Sequence, residues 1–345
     1  MLNEMNSRQH LSLRTAVVGY GYWGPHMARN ISQIDGFELS AVIDFSIERW
    51  KVIESKHSGV PIFSSIDEAL QSADLDAVII ATPTHTHYEI ARTALLNNLH
   101  VVVEKPLTTN IASATELADL ALKNRLVLMV DHTYVYSSAV ENMKELVDSG
   151  ELGALVYFDS TRVNLGLFQP DVSVLWDLAV HDLAILQRVT GRVPTAVSAT
   201  GGRHQNAKFE AAAFMTLYFG DLFFAHINVS WLSPMKIRRT VLSGTKKTIL
   251  FDDMLPDERL RIYDAGVEEN EMALLQYRLG NISLPKLPSG EALKTELEHF
   301  LGCIRTGTEP ISSARSALQI IATLEAAQQS MESGGTIVRI ASLGS

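Results

Sequence analysis

The feature that most restricts how this 345-residue chain can fold is the loop Gly19-Tyr20-Gly21-Tyr22-Trp23-Gly24. Its three glycines stand between a short β-branched run, Thr15 to Val18, and a helical stretch around His26 to Gln33. That order is strand, tight turn, helix. Gly19 permits the turn, Gly21 lets backbone N–H groups approach a pyrophosphate, and Gly24 allows the helix to pack closely on the strand. The next strand, Glu38 to Ile43, ends at Asp44, 20 positions after Gly24, the spacing at which a carboxylate reaches a ribose diol. A dinucleotide site is the consequence, and the charge of Asp44 favours NAD over NADP. Arg49 is near enough in sequence to pair with a 2'-phosphate, which leaves NADP open. The plainer alternative for Asp44 is a cap on the turn before Ser46.

The alternation continues along the chain. Ser65 to Ser72 reads as a helix, Ala77 to Ala81 as a buried strand, His87 to Asn97 as a helix, and His100 to Val103 as a strand. Ser113 to Lys123 is helical and Leu126 to Val130 closes the series. Strands alternating with helices predict an α/β fold with a doubly wound parallel sheet. After Asp131 the texture changes. Helices at Ala139 to Ser149 and Val174 to Val189 precede extended runs at Val193 to Gly201, Ala211 to Phe219, Leu222 to Trp231, Arg238 to Ser243, Lys247 to Phe251 and Leu260 to Tyr263. These predict a C-terminal α+β domain with a large, mostly antiparallel open sheet. Residues 265–289 signal weakly, while Glu291 to Arg305 and Ser313 to Ser330 have helical periodicity. The division this implies is an extension over 1–13, a dinucleotide-binding domain over 14–131, and a substrate-binding and oligomerisation domain over 132–345. The final helix of the last domain is able to pack back on the first domain.

A formal net charge of -10 with no basic block removes the electrostatic term that dominates nucleic-acid affinity. Residues Met1 to Leu13 hold no apolar core of signal-peptide length, and no apolar stretch approaches the roughly 20 residues that cross a bilayer. The one cysteine, Cys303, makes an intramolecular disulfide impossible. A cytoplasmic protein without nucleic-acid or membrane partners is the expectation.

Glu104-Lys105-Pro106 follows the strand His100 to Val103, so an ammonium group stands at the carboxyl end of a parallel strand, where open α/β sheets bind ligands. Thr82 and Pro83 end the neighbouring strand and would shape the edge of the nicotinamide pocket. His85 and His87 would contact cofactor or satisfy the start of the following helix. A metal reading of this His-x-His is disfavoured, because no Cys or carboxylate set with zinc spacing accompanies it. Asp177 and His181 are four apart, so on a helix they share a face, and a carboxylate beside an imidazole suits proton removal near neutral pH. An ordinary surface pair is the bland alternative. His132 and Tyr134 follow the last strand of the first domain and line a cleft or form a hinge; Arg162 and Asn164 offer donors to hydroxyl or phosphate oxygens, or sit on a strand surface. Trp176 reads as core.

In order and approximate separation, the loop Gly19 to Gly24, Ala81-Thr82-Pro83, Glu104-Lys105-Pro106 and Asp177 through His181 resemble the Gfo/Idh/MocA family, the glucose-fructose oxidoreductase and inositol dehydrogenase relatives. The resemblance implies an N-terminal Rossmann domain and a second domain whose sheet backs the substrate cleft and forms subunit contacts in a homodimer or homotetramer. It also implies a cofactor set of Gly19, Gly21, Tyr22, Trp23, Gly24, Asp44, Thr82, Pro83, His85, His87, Glu104 and Lys105. The implied substrate set is Lys105, Tyr134, Arg162, Asn164, Asp177 and His181. By that likeness Lys105 holds the reacting oxygen, His181 transfers its proton and Asp177 positions both, with no metal. Ser173-Val174-Leu175-Trp176 stands before Asp177 where polyol-oxidising relatives often carry a glycine-rich run. With Arg162 to Gly166, it looks more like members acting on nucleotide-linked sugars, such as 3-dehydrogenases of UDP-amino sugars or uronates. A free sugar or inositol dehydrogenase, or a non-catalytic nucleotide-sensing regulator, is the alternative.

Overall fold

The computed structural model describes residues 12–166, 168–205, 207–269 and 275–341; the expected extension over 1–13 lies, up to residue 11, outside them. The chain forms two compact units, one running to Thr133 and including Glu291–Leu318, the other comprising Tyr134–Gly290 and the residues from Gln319 on.

In the first unit six parallel strands run β1 (Leu13–Val18), β2 (Phe37–Ile43), β3 (Ile62–Phe63), β4 (Ala77–Ile80), β5 (His100–Glu104) and β6 (Leu128–Asp131), in the order β3-β2-β1-β4-β5-β6. β4 is buried at every position and β5 at all but its first, as strands covered on both faces must be. Strand order reverses between β1 and β4, which fixes the ligand crevice beyond their carboxyl ends. The covering helices are α1 (Gly24–Gln33), α2 (Ile47–Lys56), α3 (Ile66–Ser72), α4 (His87–Leu96) and α5 (Ile111–Asn124). α3 and α5 begin where the sequence offers caps: Ser65 accepts the Glu68 N–H at 3.3 Å and Asn110 accepts that of Ser113 at 2.8 Å. α2 leaves little trace in the sequence because it buries only Ile53.

The second unit is built on nine strands: β7 (Leu155–Leu165), β8 (Ala196–Arg203), β9 (Glu210–Tyr218), β10 (Phe224–Ser230), β11 (Leu232–Gly244), β12 (Thr248–Asp252), β13 (Leu260–Glu269), β14 (Leu275–Ser283) and β15 (Val338–Arg339). Their order is β14-β13-β12-β11-β7-β10-β9-β8-β15, antiparallel throughout except between β7 and β10. On β9 the inward Ala213, Met215 and Leu217 alternate with outward Phe214 and Tyr218, and Phe224 of β10 is outward too. α6 (Ser138–Asp148) is capped by Ser137 and tied to α7 (Val180–Thr190) by two bonds of 2.7 Å from Arg188 to Glu141. A wider helical turn, Leu175–Ala179, leads into α7. α8 (Ala292–Thr306) belongs to the first unit and buries Leu293, Glu296, Leu297, Phe300 and Leu301 along one face; the division falls within α9 (Ala314–Glu332). No described helix is long and apolar enough to cross a membrane.

Candidate active site

At the end of β1 the Gly19 N–H donates to the Ile43 carbonyl at 2.7 Å and the chain turns with φ +91°. A Cβ on Gly19 would lie 2.7 Å from the Ala81 carbonyl oxygen, and one on Gly24 would lie 2.0 Å from that of Gly19. Neither position tolerates a side chain. At Gly21 nothing stands within 4 Å of such an atom, so the loop is open where a ligand would approach. α1 starts at Gly24 with no side-chain cap and no acid in its first turn, so its positive end is left for an anion. Tyr22 and Trp23 are exposed beside it, their rings edge to face at 5.4 Å.

Asp44 is buried, and its carboxylate makes the turn cap that is the plainer of its two expected roles. It accepts the Ser46 N–H at 2.8 Å as a turn cap, and the Tyr20 N–H at 2.7 Å, which pins the glycine loop. Arg49 also pairs with it at 3.0 Å from a half-exposed position, so the charge that would repel a 2'-phosphate is offset by a neighbouring cation. The glycine cradle, uncapped helix and pinned loop fit a dinucleotide pyrophosphate.

Beyond β4, Thr82 accepts a hydrogen bond from the Thr86 hydroxyl at 2.7 Å, and Pro83 and His85 are exposed. His87, expected beside the cofactor or at the helix start, stands at the first position of α4 with its ring buried beneath two loops. Its Nδ1 lies 2.9 Å from the Pro106 carbonyl oxygen and its Nε2 2.9 Å from that of Thr82. The ring straps the end of β4 to the Lys105 loop. Glu104, also placed among the cofactor residues by the sequence, turns its carboxyl inward: it is buried, accepts the Lys105 N–H at 3.0 Å, and stands beside Asp131 in register on β6. The Glu104 side chain is therefore committed to the protein interior.

In the second unit Asp177 and His181 lie one turn apart where the wider turn passes into α7. Trp231, buried after β10 and carrying no sequence signal as a site residue, donates from Nε1 to Asp177 Oδ2 at 3.1 Å and fixes that carboxylate. Tyr134 packs its ring edge-on against His181 at 5.1 Å, and its hydroxyl accepts from Arg238 at 2.7 Å. Arg162, expected to bind substrate, is buried and held by Asp182 through two bonds of 3.0 Å, with Ser160 donating to the same carboxylate at 2.8 Å. Its guanidinium lies 4.4 Å from the centre of the Tyr134 ring. Arg162 is thus engaged by Asp182 and by the Tyr134 ring. Asn164 faces the same side of β7 two positions on and is half-buried.

Residues 13–132 match the NAD-binding Rossmann domain of the Gfo/Idh/MocA oxidoreductases, and residues 140–250 match that family's C-terminal domain. The chain belongs to the Gfo/Idh/MocA family. It is accordingly an NAD-binding oxidoreductase. Among its relatives, the UDP-N-acetylglucosamine 3-dehydrogenase of Acidithiobacillus ferrooxidans is 29% identical over 312 residues, covering 85% of this chain and 89% of that protein. The scyllo-inositol 2-dehydrogenase (NAD(+)) of Bacillus subtilis is 27% identical over 87% of this chain and 88% of its own. In fold, an oxidoreductase from Agrobacterium radiobacter solved with NAD+, L-tartaric acid and magnesium superposes with a TM-score of 0.80 at 19% identity, over 95% of this chain and 98% of that one.

Proposed function

We propose that this Gfo/Idh/MocA protein interconverts a secondary alcohol and a ketone on a nucleotide-linked sugar, of the UDP-amino sugar or uronate class. The observation that carries the acid–base part is the pairing of a carboxylate fixed by Trp231 with an imidazole one turn later, packed on Tyr134. Bound NAD supplies a hydride acceptor at its nicotinamide ring. Lys105 holds the reacting oxygen with its ammonium, His181 takes the hydroxyl proton in the oxidative direction and returns it in reduction, and Asp177 orients substrate and imidazole. The likeness to the UDP-N-acetylglucosamine 3-dehydrogenase over most of both chains supports the sugar class. The likeness to the inositol dehydrogenase makes free polyols the competing substrates.

The test is nicotinamide absorbance with a panel of UDP-sugars, free sugars and inositols. Turnover should require the nucleotide moiety and fall about 100-fold or more in Lys105→Ala and in His181→Ala, the scale of a positioned acid–base group. Undiminished turnover in both variants overturns the residue roles, and preference for free polyols overturns the substrate class. Cofactor binding without turnover across the panel would instead favour a nucleotide-sensing regulator.

A further inference from the structure

Behind Lys105 lie three carboxyl groups that no hydrophobic pattern explains. Glu104 ends β5 and Asp131 ends β6 opposite it in the parallel register. Glu296 sits fully buried in the apolar face of α8. Asp131 is within hydrogen-bonding reach of both glutamates. Even so, among the described residues Asp131 Oδ2 and both Glu296 oxygens are buried with no donor in hydrogen-bonding geometry, the nearby His132 N–H being given to the Val130 carbonyl at 2.8 Å. Two carboxylate oxygens can face each other only if a proton lies between them, since like charges at that distance cannot both persist out of water.

The hydrogen bonds show which group keeps its charge. Asp131 Oδ1 accepts both the Thr133 N–H at 3.2 Å and the Thr133 hydroxyl at 2.5 Å, and donors directed at a carboxylate favour its ionised form. Asp131 is therefore the anion, and the glutamates on either side are the acids that donate to it. Burial first, and then the neighbouring Asp131, push both Glu104 and Glu296 well above the carboxylate range. The other titratable groups acting on the cluster are Lys105 and His132. Burial holds the His132 imidazole down at about 4, so it carries no charge near neutrality. Two protonated glutamates then leave one carboxylate to balance one ammonium.

We propose that Glu104, Asp131 and Glu296 form a proton-sharing cluster that positions Lys105, with both glutamates neutral and Asp131 ionised near neutral pH. Neutral glutamates add no negative charge to compete with the reacting oxygen for the ammonium. Loss of their protons at alkaline pH would place two further negative charges behind it and draw it away from substrate. Glu296 is a positioning residue, acting through Asp131 and Glu104. The function assigned to the cluster rests on the role proposed above for Lys105; its protonation does not.

Infrared spectroscopy of the full chain with carboxyl-13C glutamate or aspartate tests the protonation without any need for activity. Near neutral pH a protonated-carboxyl absorption should be present, should move on labelling glutamate and should stay on labelling aspartate. On raising the pH, the wild type should lose two carboxyl protons per chain and Glu296→Gln, whose amide still donates to Asp131, only one. Absence of the band, or a band that follows the aspartate label, overturns the assignment even if no variant folds. The alkaline fall of kcat/KM should share its midpoint with the loss of the band in both proteins. A midpoint that does not track the band overturns the link to Lys105 while leaving the infrared result standing. Failure of the sugar panel alone would strike the proposed function and not the cluster.

Discussion

Replacing His132 by phenylalanine should make the protein markedly more resistant to acid. The imidazole is buried, neither ring nitrogen has a hydrogen-bond partner among the described residues, and burial lowers its pKa from 6.5 to about 4. Between those values the unfolded state binds a proton that the folded state refuses, so stability rises with pH across the window and is lost as pH falls through it. The span from 6.5 to about 4 is about 2.5 pH units, which at ~1.36 kcal/mol per unit amounts to about 3 kcal/mol. Glu104 and Glu296 pull the opposite way: with pKa values raised by folding, their contribution is complete at acid pH and is lost as pH rises through their folded values. Both proteins carry that contribution, so it largely cancels in a difference. Phenylalanine is of similar shape, does not titrate and sacrifices no hydrogen bond, so near neutrality the two should be of similar stability. In urea denaturation from about pH 7 to about pH 4, the variant's advantage should grow by about 3 kcal/mol. A difference that stays flat over that range would show that His132 is charged or solvated when folded, and would refute the reasoning.

Two other substitutions test supports of the second unit. Asp182→Leu alone strands the buried Arg162 guanidinium and should cost about 3–5 kcal/mol, whereas Arg162→Met with Asp182→Leu should recover most of it; additive losses in a double-mutant cycle would show that the pair is not coupled. Trp231→Phe removes the N–H that fixes Asp177 and should lower kcat/KM about tenfold while leaving NAD affinity in place; unchanged kinetics would mean that the carboxylate needs no such anchor.

The parallel half of the fold was legible because the apolar runs of β4 and β5 are continuous and glycines mark the turn after β1. β7 is not among the expected strands beyond the alternative that Arg162 and Asn164 sit on a strand surface, because its inward positions include Ser160 and Arg162, whose partner Asp182 lies 22 and 20 residues further on. No window of sequence short enough to show a period contains both ends of that contact. The candidate site divides in the same way. Asp44, Lys105, Asp177 and His181 sit at positions that strand ends and helix spacing pick out, but what holds Asp177 and what lies behind Lys105 come from far along the chain. Trp231 reaches Asp177 from 54 residues away, and Glu296 interrupts the apolar face of a helix that the sequence assigns to the other end of the chain. His87 was read as a ligand because it follows a strand end, whereas the carbonyls that engage it belong to two separate loops. A hydrophobic period states which face of an element is buried and is silent about a polar group placed on that face. Such a group is most often retained where a partner satisfies it, since an unpaired one costs about 1–3 kcal/mol, with His132 the exception. Here those breaks in the pattern are Glu104, Asp131 and Glu296 beside Lys105, Arg162 and Asp182 beneath Tyr134, and Asp177 against Trp231. In each unit the inward polar residues that weaken a strand or helix signal therefore stand next to residues proposed for chemistry, as expected where local consistency gives way to function.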